Sequence, residues 1–318
     1  MKEILLLLIM FWNVENYFDP FDDKTVNDNE FTPRGGKFWN WKKFIKKRDD
    51  LAKVIMLVKE ESGLFPAIIG VCEIENRFVL NQLLLHTPLA GLGYKIIHKD
   101  SPDSRGIDVA MLYNPHLFKI LKTKFFPLKY NKDSVMASRF ILYAKGVVNG
   151  LDTLHCFVNH WPSKLGGARR SLPRRMLASN ILKAKTDSIL GENSSANIVL
   201  MGDFNDTPNS PPLTNLDKFV NMTKGLVRGN APPGTHKYKE KWEQIDQFLV
   251  SSNLSPQGNL KWIYCRKESM EIFTHAFLLQ RDDGYLGEKL RKTLSGPKYL
   301  GGVSDHLPVI LKIYGKDY

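Results

Sequence analysis

Cysteine is scarce in this sequence, and the cysteines that are present lack the spacing of a shared site. Only three of the 318 residues are cysteines, Cys72, Cys156 and Cys265, and they lie far apart without a C-x-x-C pair. Neither a disulfide framework nor a cysteine-ligated zinc site is therefore indicated. Because isolated cysteines are often buried, we expect three buried free thiols.

A long hydrophobic run is also lacking. The apolar run from Ile4 to Trp12 follows Lys2, as in the core of a signal peptide, but no small-x-small cleavage site comes after it. It is much shorter than the ~20 apolar residues of a membrane span. We therefore predict a buried first strand and no transmembrane segment. The default location is the cytoplasm, whereas a trimmed leader would indicate the bacterial envelope or secretion.

Acidic residues are outnumbered by basic ones. Lys and Arg total 45 against 33 Asp and Glu, which gives a formal net charge of +12 and a pI near 9.4. The imbalance is greatest in residues 161–186, which contain no acid. This charge favours a polyanionic partner, such as nucleic acid or a phosphorylated lipid or sugar headgroup, without choosing among them.

The sequence contains no internal repeat, low-complexity tract or obvious linker, so we expect one domain over residues 1–318. Helical periodicity predicts helices over 38–59, 77–90 and 172–190. Because residues 108–161 form successive apolar runs without a helix, antiparallel strands are expected there, within a layered α/β sandwich. The predicted strands cover 4–12, 67–74, 94–98, 108–113, 139–148, 153–161, 197–204, 245–251 and 306–314.

Two basic segments have two interpretations each. The helix over 38–59 carries aromatic and basic residues that could grip nucleic acid, although its aromatics are better explained as core and its lysines as solvent-facing. The basic residues of 174–185 could grip phosphate, or they could form the solvated face of a helix. Composition does not decide between these interpretations.

Polar side chains occur where the predicted strands begin or end. Asp203 and Asn205 end the run NIVLMGDFN, and residues two apart in an extended chain project to one side. A single such residue more often forms a turn, and Asp206 before Thr207-Pro208 fits that interpretation. The set as a whole indicates a site, because ligand sites in α/β folds gather at strand ends. Its members are Asn13, Glu73, His160, Asp203, Asn205, Asp246, Asp305 and His306.

The donor atoms of this set indicate the kind of metal. Carboxylate and amide oxygens without a Cys/His cluster suit Mg²⁺ or Mn²⁺, whereas zinc would need more His or Cys. An oxygen-bound divalent ion beside two histidines and a basic surface favours phosphoryl chemistry, in which cations stabilise charge on phosphate oxygens.

The strand-end motifs occur in an order that resembles the endonuclease/exonuclease/phosphatase superfamily, which is deoxyribonuclease I-like. The resemblance runs from residue 11 to 310 and is greatest to bacterial members whose substrates are often unassigned. It implies an α/β (α+β) fold: a four-layer sandwich of two mostly antiparallel β-sheets with helices on the outer faces. The motifs are FWNVEN, VCEIEN, SRGIDVAMLY, NHWPSK, GDFN, IDQFLVS and SDHLPV.

The resemblance also implies roles for the oxygen ligands. Glu73 corresponds to the principal metal-binding carboxylate, with Asn13 beside it and Asp305 as a further carboxylate of the metal site. Asp203 would orient or deprotonate the attacking water, and Asn205 would hold that water or a phosphate oxygen. The reaction would be in-line attack of activated water on a phosphoester.

The two histidines receive roles from the same resemblance. His306, oriented by Asp246, would contact the scissile phosphate or act as an acid or base. His160 would contact the phosphate or assist the leaving group, and the SRGID motif suggests Asp108 as its orienting partner. A carboxylate beside each imidazole would fix its tautomer and favour its cationic form.

The substrate class is less defined. The resemblance and the basic charge favour a monomeric nuclease, with nucleic acid as the phosphoester substrate. The alternatives are a phosphatase or phosphodiesterase on a phosphorylated sugar or lipid headgroup, and a polyanion-binding module without catalysis. Arginine and lysine near the strand ends are the predicted phosphate-binding residues: Lys164, Arg169, Arg170, Arg105 and Arg139.

Overall fold

The computed structural model describes residues 3–131, 134–164, 166–224, 226, 232–255, 262–266 and 268–316. The helices are α1 (Trp41–Ser62), α2 (Arg77–Leu85), α3 (Ala168–Glu192) and the short α4 (Pro211–Thr214). The strands are β1 (Glu3–Tyr17), β2 (Ile68–Ile74), β3 (Lys95–His98), β4 (Asp108–Tyr113), β5 (Phe118–Phe126), β6 (Ile141–Val148), β7 (Asp152–His160), β8 (Asn197–Asp203), β9 (Phe219–Asn221), β10 (His236–Tyr238), β11 (Lys241–Glu243), β12 (Asp246–Ser251), β13 (Ile263–Tyr264), β14 (Met270–Ile272), β15 (Leu279–Arg281), β16 (Glu288–Leu290), β17 (Leu294–Ser295), β18 (Lys298–Tyr299) and β19 (Val309–Lys316).

Most strands belong to two sheets. The first has the order β13-β19-β1-β2-β4-β3, with β14 also paired to β19, and the second has the order β5-β6-β7-β8-β12-β9. Only the β1–β2 and β7–β8 pairs are parallel among the strand pairs of these two sheets that the structure describes. The antiparallel pairing expected within 108–161 is confirmed by β5, β6 and β7.

Alternating side chains place an apolar layer on each face of each sheet. In β1, Leu7, Ile9 and Phe11 pack between the two sheets, against residues of β6, β7 and β8. Their neighbours Leu8 and Met10 face the opposite way, toward α1 and α2. A third apolar cluster joins α3 to the outer face of the second sheet. This helix–sheet–sheet–helix arrangement confirms the predicted four-layer sandwich.

The three predicted helices are present with shifted ends. Asn40 caps the first turn of α1 by accepting from the Lys43 amide, and Gly63 ends the helix in a left-handed conformation. The prediction for 77–90 covers α2 and a short 3-10 segment, Pro88–Leu92. Thus periodicity located the helices, whereas capping residues determine where they end.

Some side chains of the first helix region lie opposite to the predicted direction. Trp39 and Phe44 are buried as expected, but Phe38 and Trp41 are exposed. Lys47, predicted to face solvent, is 1% exposed, and its ammonium donates to Thr293 Oγ1 at 2.6 Å and to the Val303 carbonyl. The segment containing Thr293 and Val303 covers this part of α1, and sequence periodicity carries no information about that contact.

The basic segment 174–185 is likewise not wholly solvated. Arg175 is buried, and its Nε donates to Asp206 Oδ2 at 2.8 Å. Asp206, predicted only as a turn residue, therefore attaches the loop after β8 to α3. The three cysteines are buried free thiols, as predicted. In the described part of the chain, no helix has both the length and the apolar character needed to cross a membrane.

Candidate active site

Strand pairing brings the polar strand ends together at one edge of the sandwich. In the second sheet, His160 lies beside Asp203 because β7 and β8 are parallel, and Asp246 lies opposite Asp203 because β12 is antiparallel. In the first sheet, β1 and β2 run parallel, and their regular pairing ends with Asn13 opposite Cys72, which places Asn13 and Glu73 at the same edge. The predicted strand-end residues therefore face one common space.

Irregular backbone marks the ends of β1 and β2. The register shifts after Asn13 and after Cys72, and Glu15, Asn16 and Glu73 have positive φ angles of 49°, 52° and 61°. Such conformations cost about 1–3 kcal/mol for non-glycine residues and concentrate at functional sites. The Asn16 amide donates to Glu73 Oε2 at 3.0 Å, which fixes this carboxylate at the edge of the sheet.

His306 is held from several sides. Its Nδ1 lies 2.7 Å from Asp246 Oδ2. The Ser304 hydroxyl accepts from its amide at 3.0 Å, and the Trp12 indole donates to its carbonyl at 2.9 Å. Burial favours the neutral imidazole, but the negative charges of Asp246 and Asp203 outweigh it and hold the pKa of His306 well above its usual range. His306 is thus an oriented imidazolium with Nε2 directed into the site.

Asp203 lies between the two histidines. Its Oδ2 is 3.7 Å from His160 Nε2 and 4.0 Å from His306 Nε2, and it accepts from the Asn13 amide group at 3.1 Å. The backbone amide of Asn205 donates to Oδ1 at 2.8 Å. Burial, with the nearby charge of Asp246, raises the pKa of Asp203 to about 7. A carboxyl group with such a pKa is suited to proton transfer near neutral pH.

His160 has the opposite electrostatic setting. Burial lowers its pKa well below the usual range, and the cations Arg139 and Arg105 act in the same direction. Its Nε2 lies 3.8 Å from Glu73 Oε1, while its buried Nδ1 has no hydrogen-bond partner among the residues that the structure describes. His160 is therefore a neutral imidazole directed between two carboxylates.

The predicted pairing of Asp108 with His160 is wrong. Asp108 Oδ2 lies 3.0 Å from Nε2 of His98, and its Oδ1 accepts from the Ser101 amide at 2.9 Å. The reason is strand order, because β3 lies directly beside β4 and brings His98 to the carboxylate. Asp108 therefore supports the edge of the first sheet.

Glu73 and Asp305 are candidate ligands for a divalent ion. Partial burial raises the pKa of Asp305, and the negative charge of Glu73 raises it further. A cation between the two carboxylates would remove this repulsion, and Mg²⁺ or Mn²⁺ would suit their oxygens together with the amide oxygen of Asn13. His306 can share an ion geometrically with Asp305 and His236. Its cationic state, maintained by Asp246, makes it a poor metal ligand.

The predicted phosphate-binding cations lie in different environments. Lys164 borders the site beside Asn205, and its ammonium contacts Glu243 at 3.0 Å. Arg105 is half exposed near Asp305, and Arg169 and Arg170 are exposed in the first turn of α3. Arg139 instead is buried, donating to Asp103 Oδ2 at 2.9 Å and to the Trp161 carbonyl at 2.7 Å. It supports the site from behind rather than facing solvent.

Two residues at the site were not among the predicted site residues. Glu15 accepts from the Thr293 and Leu294 amides at 2.6 and 3.1 Å and stands next to the predicted ligand Asn13. His236 forms a backbone bridge with His306, and the two ring centroids are 4.8 Å apart. The FWNVEN motif contained a signal for Glu15, whereas none of the family motifs contains His236.

A two-sheet sandwich with outer helices and a carboxylate–histidine site at one sheet edge defines the endonuclease/exonuclease/phosphatase class of fold. The chain belongs to the Endonuclease/Exonuclease/phosphatase family, whose model matches residues 8–315, and the predicted resemblance is confirmed. Members of this family are generally hydrolases of phosphoester bonds. No curated protein matches the sequence.

Solved structures share the fold at low sequence identity. A functionally unknown conserved protein from Enterococcus faecalis V583 has a TM-score of 0.60 and 17% identity, over 98% of this chain and 100% of that chain. Truncated TDP2 from Caenorhabditis elegans has a TM-score of 0.57 and 16% identity, over 99% and 98%. The catalytic domain of human Nocturnin with a bound sulfate anion has a TM-score of 0.58 and 15% identity, over 98% and 96%.

Proposed function

We propose that the protein is a divalent-metal-dependent phosphodiesterase that acts on nucleic acid. The observation that carries this proposal is the position of Asp203 between two histidines of opposite pKa direction, 3.7 Å from His160 and 4.0 Å from His306. A proton-accepting carboxylate, an imidazolium and a neutral imidazole around one space can accept a proton from water, stabilise phosphate charge and donate a hydrogen bond during hydrolysis of a phosphoester.

The residues divide the chemistry as follows. Asp203 orients a water molecule and accepts its proton, with the Asn13 and Asn205 hydrogen bonds fixing the carboxylate. His306 offers a positive N–H to a phosphate oxygen and stabilises the charge that develops there. His160 is a neutral imidazole. With its proton on Nε2, it donates a hydrogen bond to a phosphate oxygen or to the leaving group.

A divalent ion would be held by Glu73, Asp305 and the amide oxygen of Asn13. When bound, such an ion supplies Lewis-acid stabilisation of phosphate charge. The side chain of Asn13 already accepts from the Glu15 amide at 3.0 Å and donates to Asp203, so its oxygen is oriented before any ion binds.

The charge of the molecule favours nucleic acid over a small phosphoester. The net charge is +12, Lys164 borders the site, and Arg169 and Arg170 are exposed in the first turn of α3. A long polyanion can contact all of these cations at once, whereas an inositol phosphate or lipid headgroup cannot reach beyond the site.

A substrate panel tests the proposal. Purified protein with Mg²⁺ or Mn²⁺, and with EDTA instead, would be offered plasmid, single-stranded and abasic DNA, RNA, inositol phosphates, sphingomyelin and bis-p-nitrophenyl phosphate. We expect metal-dependent cleavage of nucleic acid, reduced at least about a hundredfold in Asp203→Asn and His306→Ala. Asp152→Asn is the matched control, because this carboxylate lies at the opposite end of β7.

The other outcomes are distinct. Turnover restricted to inositol phosphates or sphingomyelin would replace the nuclease by a phosphatase or lipid phosphodiesterase. Tight binding of DNA without metal-dependent turnover of any substrate would instead identify a binding module.

A further inference from the structure

A cavity of about 490 Å³ adjoins the proposed active site on the side of His306. We call it the hairpin pocket, because the β10–β11 hairpin forms one wall. A cavity of this volume accepts a group much larger than a phosphate, since ligand pockets usually measure about 300–1,000 Å³. Its lining includes Lys164, Asn205, His236, Tyr238, Lys241 and Glu243.

The two faces of the hairpin have different environments. His236 and Tyr238 alternate with Lys237, so they share the face toward the pocket. Lys237 on the other face forms a buried ion pair with Asp282 at 2.7 Å and lies over the Trp242 ring. The hairpin is thus anchored from behind, while Tyr238 on its pocket face is 67% exposed. An exposed aromatic ring on an anchored element can bind a planar partner at low entropic cost.

The hairpin is also connected to the proposed catalytic histidine. Thr235, fully buried, accepts from the Asp246 amide through its hydroxyl at 3.2 Å and from the Leu307 amide through its carbonyl at 2.8 Å. His236 then pairs with His306 through the backbone. The hairpin pocket therefore lies beside His306, so that a group bound in the pocket can belong to the same molecule as a phosphate that His306 contacts.

The positive charge of the two pocket lysines is partly offset by one acid. Glu243 contacts both Lys164, at 3.0 Å, and Lys241, at 3.6 Å, so one carboxylate offsets part of the positive charge. A phosphorylated sugar would place anions against this acid. A nucleobase presents instead a planar face for Tyr238 and polar edges for Asn205 and Glu243.

We propose that the hairpin pocket receives an unpaired nucleoside attached to the scissile phosphate, with its base against the Tyr238 ring. The inference is carried by three neighbouring features: the exposed Tyr238 ring, the wall in which Glu243 pairs with two lysines, and His306. It rests on the proposed phosphodiesterase function. Because a base inside a duplex cannot enter such a pocket, the preferred substrate is single-stranded nucleic acid or a frayed end.

Two esters with the same leaving group test the pocket. Thymidine 5′-(p-nitrophenyl phosphate) contains a nucleoside, and methyl p-nitrophenyl phosphate does not. We expect Tyr238→Ala to raise KM for the thymidine ester about 5- to 150-fold and to leave the methyl ester unchanged, whereas Tyr238→Phe retains the ring and the affinity. Leu286→Ala is the control, because this residue is 98% exposed beside the hairpin and outside the pocket.

The remaining outcomes separate the pocket from the catalytic proposal. An equal effect of Tyr238→Ala on both esters, or no effect on either, overturns the pocket while leaving the phosphodiesterase intact. If the wild type hydrolyses neither ester and no nucleic acid, the catalytic proposal fails, and calorimetry with thymidine 5′-monophosphate decides the pocket. Binding that Tyr238→Ala weakens supports it, whereas no binding, or tighter binding of inositol 1-phosphate, overturns it.

Discussion

At the scale of single residues, the site depends on two histidines that differ in their partners. His306 has Asp246 at 2.7 Å and carries a positive charge, whereas the buried His160 lies near cationic arginines and is neutral. A carboxylate hydrogen-bonded at Nδ1, present for His306 and not found for His160 among the described residues, thus distinguishes the imidazole that can stabilise phosphate charge from the one that can only donate a neutral hydrogen bond. Separate environments for chemically identical groups are a common way to assign distinct acid and base roles.

The Asp246–His306 pair predicts the effect of a single substitution. Asp246→Asn keeps the shape of the side chain but removes the charge that holds His306 cationic and oriented. We expect kcat/KM for a phosphodiester to fall about a hundred- to a thousandfold with little change in KM, measured by steady-state kinetics. Asp108→Asn removes a carboxylate of the same type from His98. We expect a change of less than about threefold, and an equal loss in both variants would contradict the assignment of Asp108 to the sheet edge.

The buried His155, which contacts Tyr143, predicts that the stability of the fold depends on pH. Burial, with Lys145 nearby, lowers the pKa of His155 to about 4, and the Tyr143 hydroxyl lies 2.9 Å from its Nδ1. Between pH 6.5 and 4 the unfolded chain binds this proton and the folded protein does not. Stability is therefore lost as pH falls through this range and changes no further below it. The slope should be smaller than the one-proton value of about 1.4 kcal/mol per pH unit, because solvent reaches part of the ring.

Chemical denaturation at pH 4 to 7 measures this effect. We expect His155→Gln to flatten the dependence of the unfolding free energy on pH, whereas His116→Gln, at an exposed position, should give a curve parallel to the wild type. A His155→Gln curve as steep as that of the wild type would show that other groups cause the acid sensitivity.

At the scale of elements, α1 and β1 support the site through Lys47 and Glu15, respectively. The ammonium of Lys47 holds Thr293 and the Val303 carbonyl, and Glu15 binds the amides of Thr293 and Leu294. Burial lowers the pKa of Lys47 to about 8 and raises that of Glu15 to about 7. These contacts fix the segment that leads into Asp305 and His306.

Loss of one partner from this buried group predicts a large destabilisation. Lys47→Met leaves Glu15 without its nearby cation, and we expect the free energy of unfolding to fall by about 3–5 kcal/mol in urea titrations. Lys46→Met is the matched control, because the ammonium of Lys46, the residue before Lys47, pairs with Asp50 at the surface. Ion pairs at the surface contribute about 0–1 kcal/mol. Equal losses in the two variants would show that helix propensity, and not the buried contacts, explains the effect.

Sequence periodicity predicted most elements, and it was wrong where distant segments decide the contact. Apolar runs located β1, β2 and the central strands because burial on both faces leaves a continuous signal. The edge strand β5 was missed because its lysines resemble a loop. Lys47 was placed in solvent because its partner Thr293 lies 246 residues away. The strand ends indicated a site from the sequence alone. The partner of Asp108 could not be predicted in this way, because His98 reaches it only through the order of the strands in the sheet.

At the scale of the whole molecule, the two sheets contribute different halves of the site. The first supplies Asn13 and Glu73 with the segment before β19, and the second supplies His160, Asp203 and Asp246. Because β1 is central in one sheet and β8 is internal in the other, the two halves are held by the core between the sheets. Ion binding that joins groups around this edge should therefore stabilise the whole fold.

The direction in which Glu73→Gln changes the thermal stability should therefore depend on whether a divalent ion is present. Without a divalent ion, Glu73 and Asp305 repel each other, so Glu73→Gln should raise the thermal midpoint in EDTA. With Mg²⁺ or Mn²⁺ the wild type should gain about 2.7 kcal/mol at an ion concentration of 100 Kd, and the variant should gain little. The two proteins would thus exchange their order of stability when the ion is added. Glu61→Gln, at an exposed position of α1, should follow the wild type. If Glu73→Gln is less stable in EDTA and gains as much from the ion, Glu73 holds the backbone of β2 and is not a metal ligand.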